Sequence, residues 1–266
     1  MAHFSKKVFN TLPFPHLAVT LPRNCRNSFM NLIVDIGNSS AKASLFDGTA
    51  MVVRKRLGDD IAAQLDDLTR DANLNACAYS VVGVANPAII QKLNRIAPRT
   101  LRVEGQTPTP LTNDYRTPTT LGPDRLAAAV GAATIHPHKP LLIIDAGTCL
   151  TYDFVTREGH YLGGNISPGL GMRLRALHEQ TALLPLVSAE GPWPQPGRDT
   201  ETAIRSGVMH GMLYEMRGYV EDFLHDVSDG HIFLTGGNAF RFDLPQAEHS
   251  ETLVETGLNR ILLYNI

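Results

Sequence analysis

The feature that most constrains this chain is an internal repeat. Ile33-Val34-Asp35-Ile36-Gly37-Asn38-Ser39-Ser40 is echoed by Ile143-Ile144-Asp145-Ala146-Gly147-Thr148-Cys149-Leu150, with the two aspartates 110 positions apart. Each copy reads as a short apolar strand that a glycine turns sharply at its end. An alternating second strand follows each (Ala41–Phe46 and Thr151–Val155), then a third. A period of this length is the size of one small α/β domain. The reading is therefore an α/β protein of two related domains, each a mixed β-sheet flanked by helices, with a cleft between them. Residues 30–120 are assigned to the first domain and 121–266 to the second.

Composition narrows the function classes. With 24 Lys+Arg against 26 Asp+Glu in 266 residues, the chain offers no electrostatic footprint for nucleic acid or an anionic membrane. No stretch approaches the roughly 18 apolar residues of a spanning helix. Cys25, Cys77 and Cys149 are too scattered for a disulfide framework or a zinc site, which points to a cytoplasmic protein. Residues 1–29 carry Lys6, Lys7, Arg23 and Arg26, no acidic residue and the breakers Pro13, Pro15 and Pro22. They are read as an extension without fixed structure, or as a start codon set too early with Met30 the working start. An organelle-type leader or a nucleic-acid arm is the alternative.

Along the rest of the chain the order is β-β-β-α-β-α-β up to Val103. An irregular crossing over 105–120 follows, then a helix over Asp124–Ile135 opened by Gly122-Pro123. The second copy continues to a glycine-rich strand end at Gly163-Gly164, a helix over Leu170–Gln180 and a proline-rich loop anchored by Trp193. A long helix spans Thr200–His225, the strand His231–Leu234 runs into Thr235-Gly236-Gly237, and a helix over Glu251–Leu263 closes the chain.

A strand that ends in Asp-x-Gly brings a carboxylate and several backbone N–H groups to one point. Glycine lets the backbone approach a ligand. With the hydroxyls of Ser39, Ser40 and Thr148 such turns can hold phosphate oxygens, and the carboxylate can hold a cation upon them. Lys42 supplies a point charge. One such turn alone reads first as a plain strand end; two facing copies favour a nucleotide clamp. No Walker A, G-x-G-x-x-G, H-E-x-x-H or G-x-S-x-G pattern occurs.

Five motifs then occur in series: Asp35-Ile36-Gly37-Asn38-Ser39-Ser40-Ala41-Lys42, Gly122-Pro123-Asp124-Arg125, Asp145-Ala146-Gly147-Thr148, Gly163–Gly169 and Thr235-Gly236-Gly237. The series resembles the type III pantothenate kinases, within the actin/hexokinase/heat-shock-70 ATPase superfamily. The resemblance implies two actin-like, ribonuclease H-like domains and ATP-dependent phosphorylation of (R)-pantothenate to 4'-phosphopantothenate, the first step toward coenzyme A. It implies that residues 35–42 and Thr148 bind the ATP phosphates and that Thr235–Gly237 lies against adenosine. Asp124 would accept the proton of the pantothenate hydroxyl. Tyr115, Gly122, Pro123, Asp124, Arg125 and Thr200 would contact pantothenate, with the partner subunit's Thr200 completing the site. Asp145 would hold a monovalent cation, K+ or NH4+, and a divalent cation, Mg2+ foremost, would arrive with ATP. Ser39 replaces a threonine common in the family and keeps the hydroxyl.

The position of Asp124 in the first turn of its helix favours its charged form, which makes it a weaker base. Arg125 is suited to a forked pairing with the pantothenate carboxylate. Gly207, Gly211 and Gly218, beside Ile204, Val208, Met212 and Met216, mark a face of the long helix that serves either the internal core or a homodimer interface. His136, His138, His160, His178 and His210 show no metal-ligand spacing and are read as structural or solvent-facing. Two other functions fit the same fold: another small-molecule kinase of the superfamily, or a non-catalytic ATP-binding regulator accessory to transcription.

Overall fold

The computed structural model describes residues 28–84 and 86–266; the rest of the expected 1–29 extension lies outside them. Strands β1 (Phe29–Ile36), β2 (Ala41–Asp47), β3 (Ala50–Leu57), β4 (Asn73–Val81) and β5 (Thr100–Val103) form one sheet in the order β3-β2-β1-β4-β5. The first three are antiparallel; β4 and β5 run parallel to β1. Helices α1 (Ile61–Thr69) and α2 (Pro87–Leu93) connect the parallel strands. Asp60 and Asn86 cap them by accepting from the backbone N–H groups of Ala63 and Ala88.

The chain then crosses through β6 (Thr112–Asn113) to α3 (Pro123–Ile135) and builds β7 (Leu141–Ala146), β8 (Cys149–Val155) and β9 (His160–Pro168). Helices α4 (Leu170–Glu179) and α5 (Thr200–Asp226) precede β10 (His231–Thr235), β11 (Ala247–His249) and α6 (Leu253–Asn265). The second sheet has the order β11-β10-β7-β8-β9-β6. Apart from β6 it reproduces the first, strand for strand and direction for direction. The repeat seen in eight residues extends to a whole sheet.

Two departures from the sequence reading have physical causes. Strand β9 does not end at Gly163-Gly164 but runs through it. A Cβ on Gly164 would lie 1.7 Å from the Tyr152 carbonyl of β8, and Gly163 sits at φ +102° under the Tyr115 ring. These glycines mark close approach of neighbours rather than a chain break. Strand β11 (Ala-Glu-His) has no apolar run to announce it; pairing with β10 alone makes it a strand.

Helices α3 and α6 lie together between the two sheets. Buried residues of both helices share one core with Ile33, Phe46, Ala78 and Val103 of the first sheet and with Leu141, Ile143, Tyr161 and Phe233 of the second. Alanine-rich α3 is a good helix former and narrow enough for this place. Gly131 and Gly257 set the approach: a Cβ on either would fall 2.1 Å from the Leu253 carbonyl or 1.8 Å from the Ala127 carbonyl. The C-terminal helix is further tied to the first sheet by polar links. Asn259 accepts from Asn31 and donates to the Gly48 carbonyl, and Arg54 donates to the fully buried Glu255 at 2.8 Å.

Gly257→Ala should therefore destabilise the protein by about 3 kcal/mol or more, because the new methyl meets rigid backbone rather than a movable side chain. Urea unfolding checks this: the midpoint should fall while the slope stays constant.

Candidate functional site

Each Asp-x-Gly turn is closed by its glycine N–H, over three residues in the first copy and two in the second. The Gly37 N–H donates to the Ser40 carbonyl at 2.9 Å, and the Gly147 N–H to the Cys149 carbonyl at 3.0 Å. They face each other and touch, Ser39 Oγ lying 2.8 Å from Thr148 Oγ1. Between them opens a cleft of about 460 Å³. Its walls carry Asp35, Gly37, Asn38, Ser39, Ser40, Lys42, Asp124, Asp145, Thr148 and Thr235–Gly237. Ile36 and Ala41 pair across the β1–β2 hairpin that carries the first turn. Tyr115, Gly122, Pro123, Arg125 and Thr200 are not walls of this cleft.

Strand register explains which residues arrive. Asp35 pairs with Ser80 of β4, and Asp145 holds the equivalent place beside Thr235 of β10. Ser80 Oγ donates to Asp35 at 2.7 Å. After Thr235 the chain leaves through Gly236 at φ +96°, where a Cβ would stand 2.3 Å from the Asp145 carboxylate. Only glycine lets the third motif pass so close to the second.

The cleft gathers three carboxyl groups, Asp35, Asp124 and Asp145. Burial pushes the Asp145 carboxyl up to about 7, with the Asp124 charge adding and Lys42 opposing. Burial likewise lifts Asp35 to about 6, against the Ser80 hydrogen bond and Lys42. Asp124 is also raised, by burial first, although the backbone N–H of Arg125 donates to it. Burial thus outweighs the helix N-terminus invoked for Asp124, and its carboxyl is a stronger base than helix position alone implies. The oxygen donors of Asp35, Asp124 and Asp145 suit hard cations such as Mg2+ or K+.

Asp124 depends on Gly122 for its pose. A Cβ on Gly122 would lie 2.5 Å from the Asp124 carboxylate oxygen, so any larger residue there displaces it. Arg125 points the other way. Its guanidinium is buried and forked onto Asp153 of β8 at 2.6–3.2 Å, while the Tyr161 hydroxyl donates to the same carboxylate at 2.6 Å. The Tyr115 ring lies 5.7 Å from the guanidinium. This network pins the first turn of α3 to the second sheet. Asp153 was not singled out in the sequence; a buried acid at an inward position of an alternating strand was its one signal.

Arg56, Arg175, Asn238 and Glu251 also line the cleft and were missed. Arg56 was legible in principle: Arg54 and Arg56, two apart on β3, share a face. Arg54 binds Glu255 and Glu251 of the α6 end, and Arg56 faces the cleft.

The family profile described as type III pantothenate kinase matches residues 31–222. A type III pantothenate kinase of Bacteroides fragilis is 47% identical over 242 residues, covering 89% of this chain and 98% of that protein. The chain belongs to this family. The corresponding proteins of Phocaeicola vulgatus and Cytophaga hutchinsonii are 44% and 36% identical, each across 89% of this chain and 99% and 100% of theirs. Among solved structures, a candidate N-acetylmannosamine kinase of Listeria monocytogenes aligns with TM-score 0.51 at 12% identity, over 89% of this chain and 99% of its own. The activator of 2-hydroxyisocaproyl-CoA dehydratase from Clostridium difficile, solved with bound ADPNP, aligns at 0.50 and 11% identity, over 89% and 94%. Both establish the shared actin-like ATPase fold. Among the described residues no helix is long and apolar enough to cross a membrane.

Two outcomes are expected of this pantothenate kinase-family cleft. Gly122→Ala should lower kcat by about 10²-fold through misplacement of Asp124 while leaving the thermal midpoint nearly unchanged; steady-state kinetics and a melting curve check the split. Asp145→Asn should stabilise the cation-free protein. The native pKa of about 7 lies above that of the unfolded carboxyl, so the folded state disfavours ionisation. The variant's advantage should be on the order of 4 kcal/mol at pH 8 and close as the pH falls toward 4. Melting at several pH values reads it.

Proposed function

We propose that this chain transfers the γ-phosphoryl group of ATP directly to the hydroxyl of (R)-pantothenate, giving 4'-phosphopantothenate, in the cleft where its two Asp-x-Gly turns meet. Family membership supports the overall reaction. The observation that supports the site is the convergence of both turns, Thr235–Gly237 and Asp124 on one cavity, with Ser39 and Thr148 in contact.

Residues 35–42 and Thr148 would receive the phosphates through backbone N–H groups and hydroxyls, with Lys42 neutralising part of their charge. Thr235–Gly237 would lie against adenosine. Gly236 has no Cβ and Gly237 has open space around it, which leaves room for a flat ring. A divalent cation travelling with ATP and a monovalent cation at Asp145 would offset charge on the transferring phosphoryl group; Asp35 and Asp145 are the acidic groups placed to hold them.

Asp124 would orient the pantothenate hydroxyl and accept its proton. Phosphoryl transfer passes through a loose transition state, so alignment of attacking and leaving oxygens and neutralisation of charge matter more than base strength. The raised carboxyl of Asp124 is nevertheless better matched to proton acceptance near neutral pH than an exposed aspartate. Tyr115, Gly122, Pro123 and Arg125 would form the pantothenate side, with the partner subunit's Thr200 in a homodimer. Because Arg125 is already forked onto Asp153, its contribution would be one remaining N–H2 edge and the positioning of Asp124.

A coupled ATPase assay with and without pantothenate, in potassium and in sodium, tests this reading. ATP turnover should require pantothenate and be faster in potassium. Asp124→Asn should lose at least about 10²-fold in kcat with ATP binding retained. Turnover independent of pantothenate, or full activity of the Asn variant, would refute the mechanism.

A further inference from the structure

A second cluster of ligating groups lies apart from the cleft. His136 caps the C-terminal end of α3, His231 opens β10 and Glu248 lies on edge strand β11. Folding brings one ligand atom of each within 4.8 Å of the other two. Nε2 of His136 and Nε2 of His231 each lie 2.9 Å from the same carboxylate oxygen of Glu248. The two rings stand 3.8 Å apart, and the fully buried Phe233 ring backs both, at 5.5 and 5.0 Å.

We propose that His136, His231 and Glu248 form a binding site for a divalent transition-metal ion of the zinc class. Two imidazoles and one carboxylate are a ligand set that zinc accepts, with a fourth position left to water. In a tetrahedral site with bonds near 2.0–2.1 Å, ligand atoms are about 3.3 Å apart. The two 2.9 Å separations require only a small outward shift, and the three side chains are one-third to two-fifths exposed, so an ion can enter from solvent. Phe233 fixes the ring planes and gives the site the apolar wall that supports metal ligands. The nearby cations Lys139 and Arg157 are both engaged by Asp229, so their charge is partly offset.

Nitrogen ligands distinguish this cluster from the oxygen donors of the cleft, which suit Mg2+ and K+. A bound ion would join the end of α3 to the outer edge of the second sheet. Asp124 stands at the other end of the same helix, about 18 Å away along its axis. The bond would act as a structural staple on the helix that carries that carboxylate.

The test uses untagged full-length protein stripped with a chelator and then titrated with Zn2+ against a chromophoric chelator, in excess Mg2+ and K+. One Zn2+ per chain should bind, and the thermal midpoint should rise. The double variant His136→Gln/His231→Gln should bind Zn2+ more than about tenfold more weakly while keeping the midpoint of the metal-free wild type. Glu248→Gln should weaken binding on its own, and Asp145→Asn should leave it intact. Co2+ supplies a second readout should the double variant not fold: wild type should show the intense visible bands of a four-coordinate ion, and Glu248→Gln should lose them. Absence of stoichiometric binding, retention of full affinity in the histidine or glutamate variants, or loss of binding in Asp145→Asn would overturn the proposal.

Discussion

The structure depends on how closely α3 and α6 approach. Two sheets of the same topology do not by themselves make a cleft; something must hold them at a fixed distance. Gly131 and Gly257 let the backbones of these helices touch, with no room for a Cβ on either side. The helix pair fills the space between the sheets with one continuous core. Because α6 comes from the end of the chain and packs on the first sheet, the second half of the sequence closes over the first. The cleft is then bounded by both turns, by the N-terminal end of α3 and by the N-terminal end of α6.

The same packing creates an electrostatic tension. Burying Asp35, Asp145 and Asp124 around one cavity raises all three above the ordinary carboxylate range. In a protein of net charge -2, the whole-molecule field does nothing to draw in an anionic nucleotide. Attraction must be local, and Lys42, Arg56 and Arg175 are the cationic side chains that line the cleft. Gathering these acids costs stability that a bound cation would offset, a common trade between stability and function.

Much of this was legible in the sequence, for identifiable reasons. The Asp-x-Gly turns, the strands around them and the proline-led start of α3 are set by local chemistry: glycine where the chain turns, alternation where a strand has a wet face. The repeat exposed the duplicated sheets because strand order follows element order. What stayed hidden depends on tertiary contact. Gly163-Gly164 looked like a strand end, since only the position of Tyr115 and Tyr152 reveals why glycine is needed there. The burial of Asp124 reversed the expected direction of its pKa, because helix position is local and desolvation is not. The free fork assigned to Arg125 is occupied by Asp153, a partner that no spacing rule points to. His136 showed no metal spacing in one dimension and acquires two ligating neighbours only when β10 and β11 fold beside α3.

The two halves of the duplication have also diverged in chemistry. In the first, Asp35 is held by the Ser80 hydroxyl, and Lys42 stands across the hairpin from it. Its charge therefore has partners within its own sheet. In the second, Asp145 carries the higher pKa and has Asp124 as its foremost charged neighbour. Thr151 stands where Lys42 stands in the first copy. The half without this lysine is the half that receives Asp124 from the preceding helix. A carboxylate with no lysine opposite it in its own sheet is the one better suited to an external cation, and it lies beside Asp124. The difference between two like halves thus leaves a lysine beside one carboxylate and a second carboxylate beside the other, across one cleft.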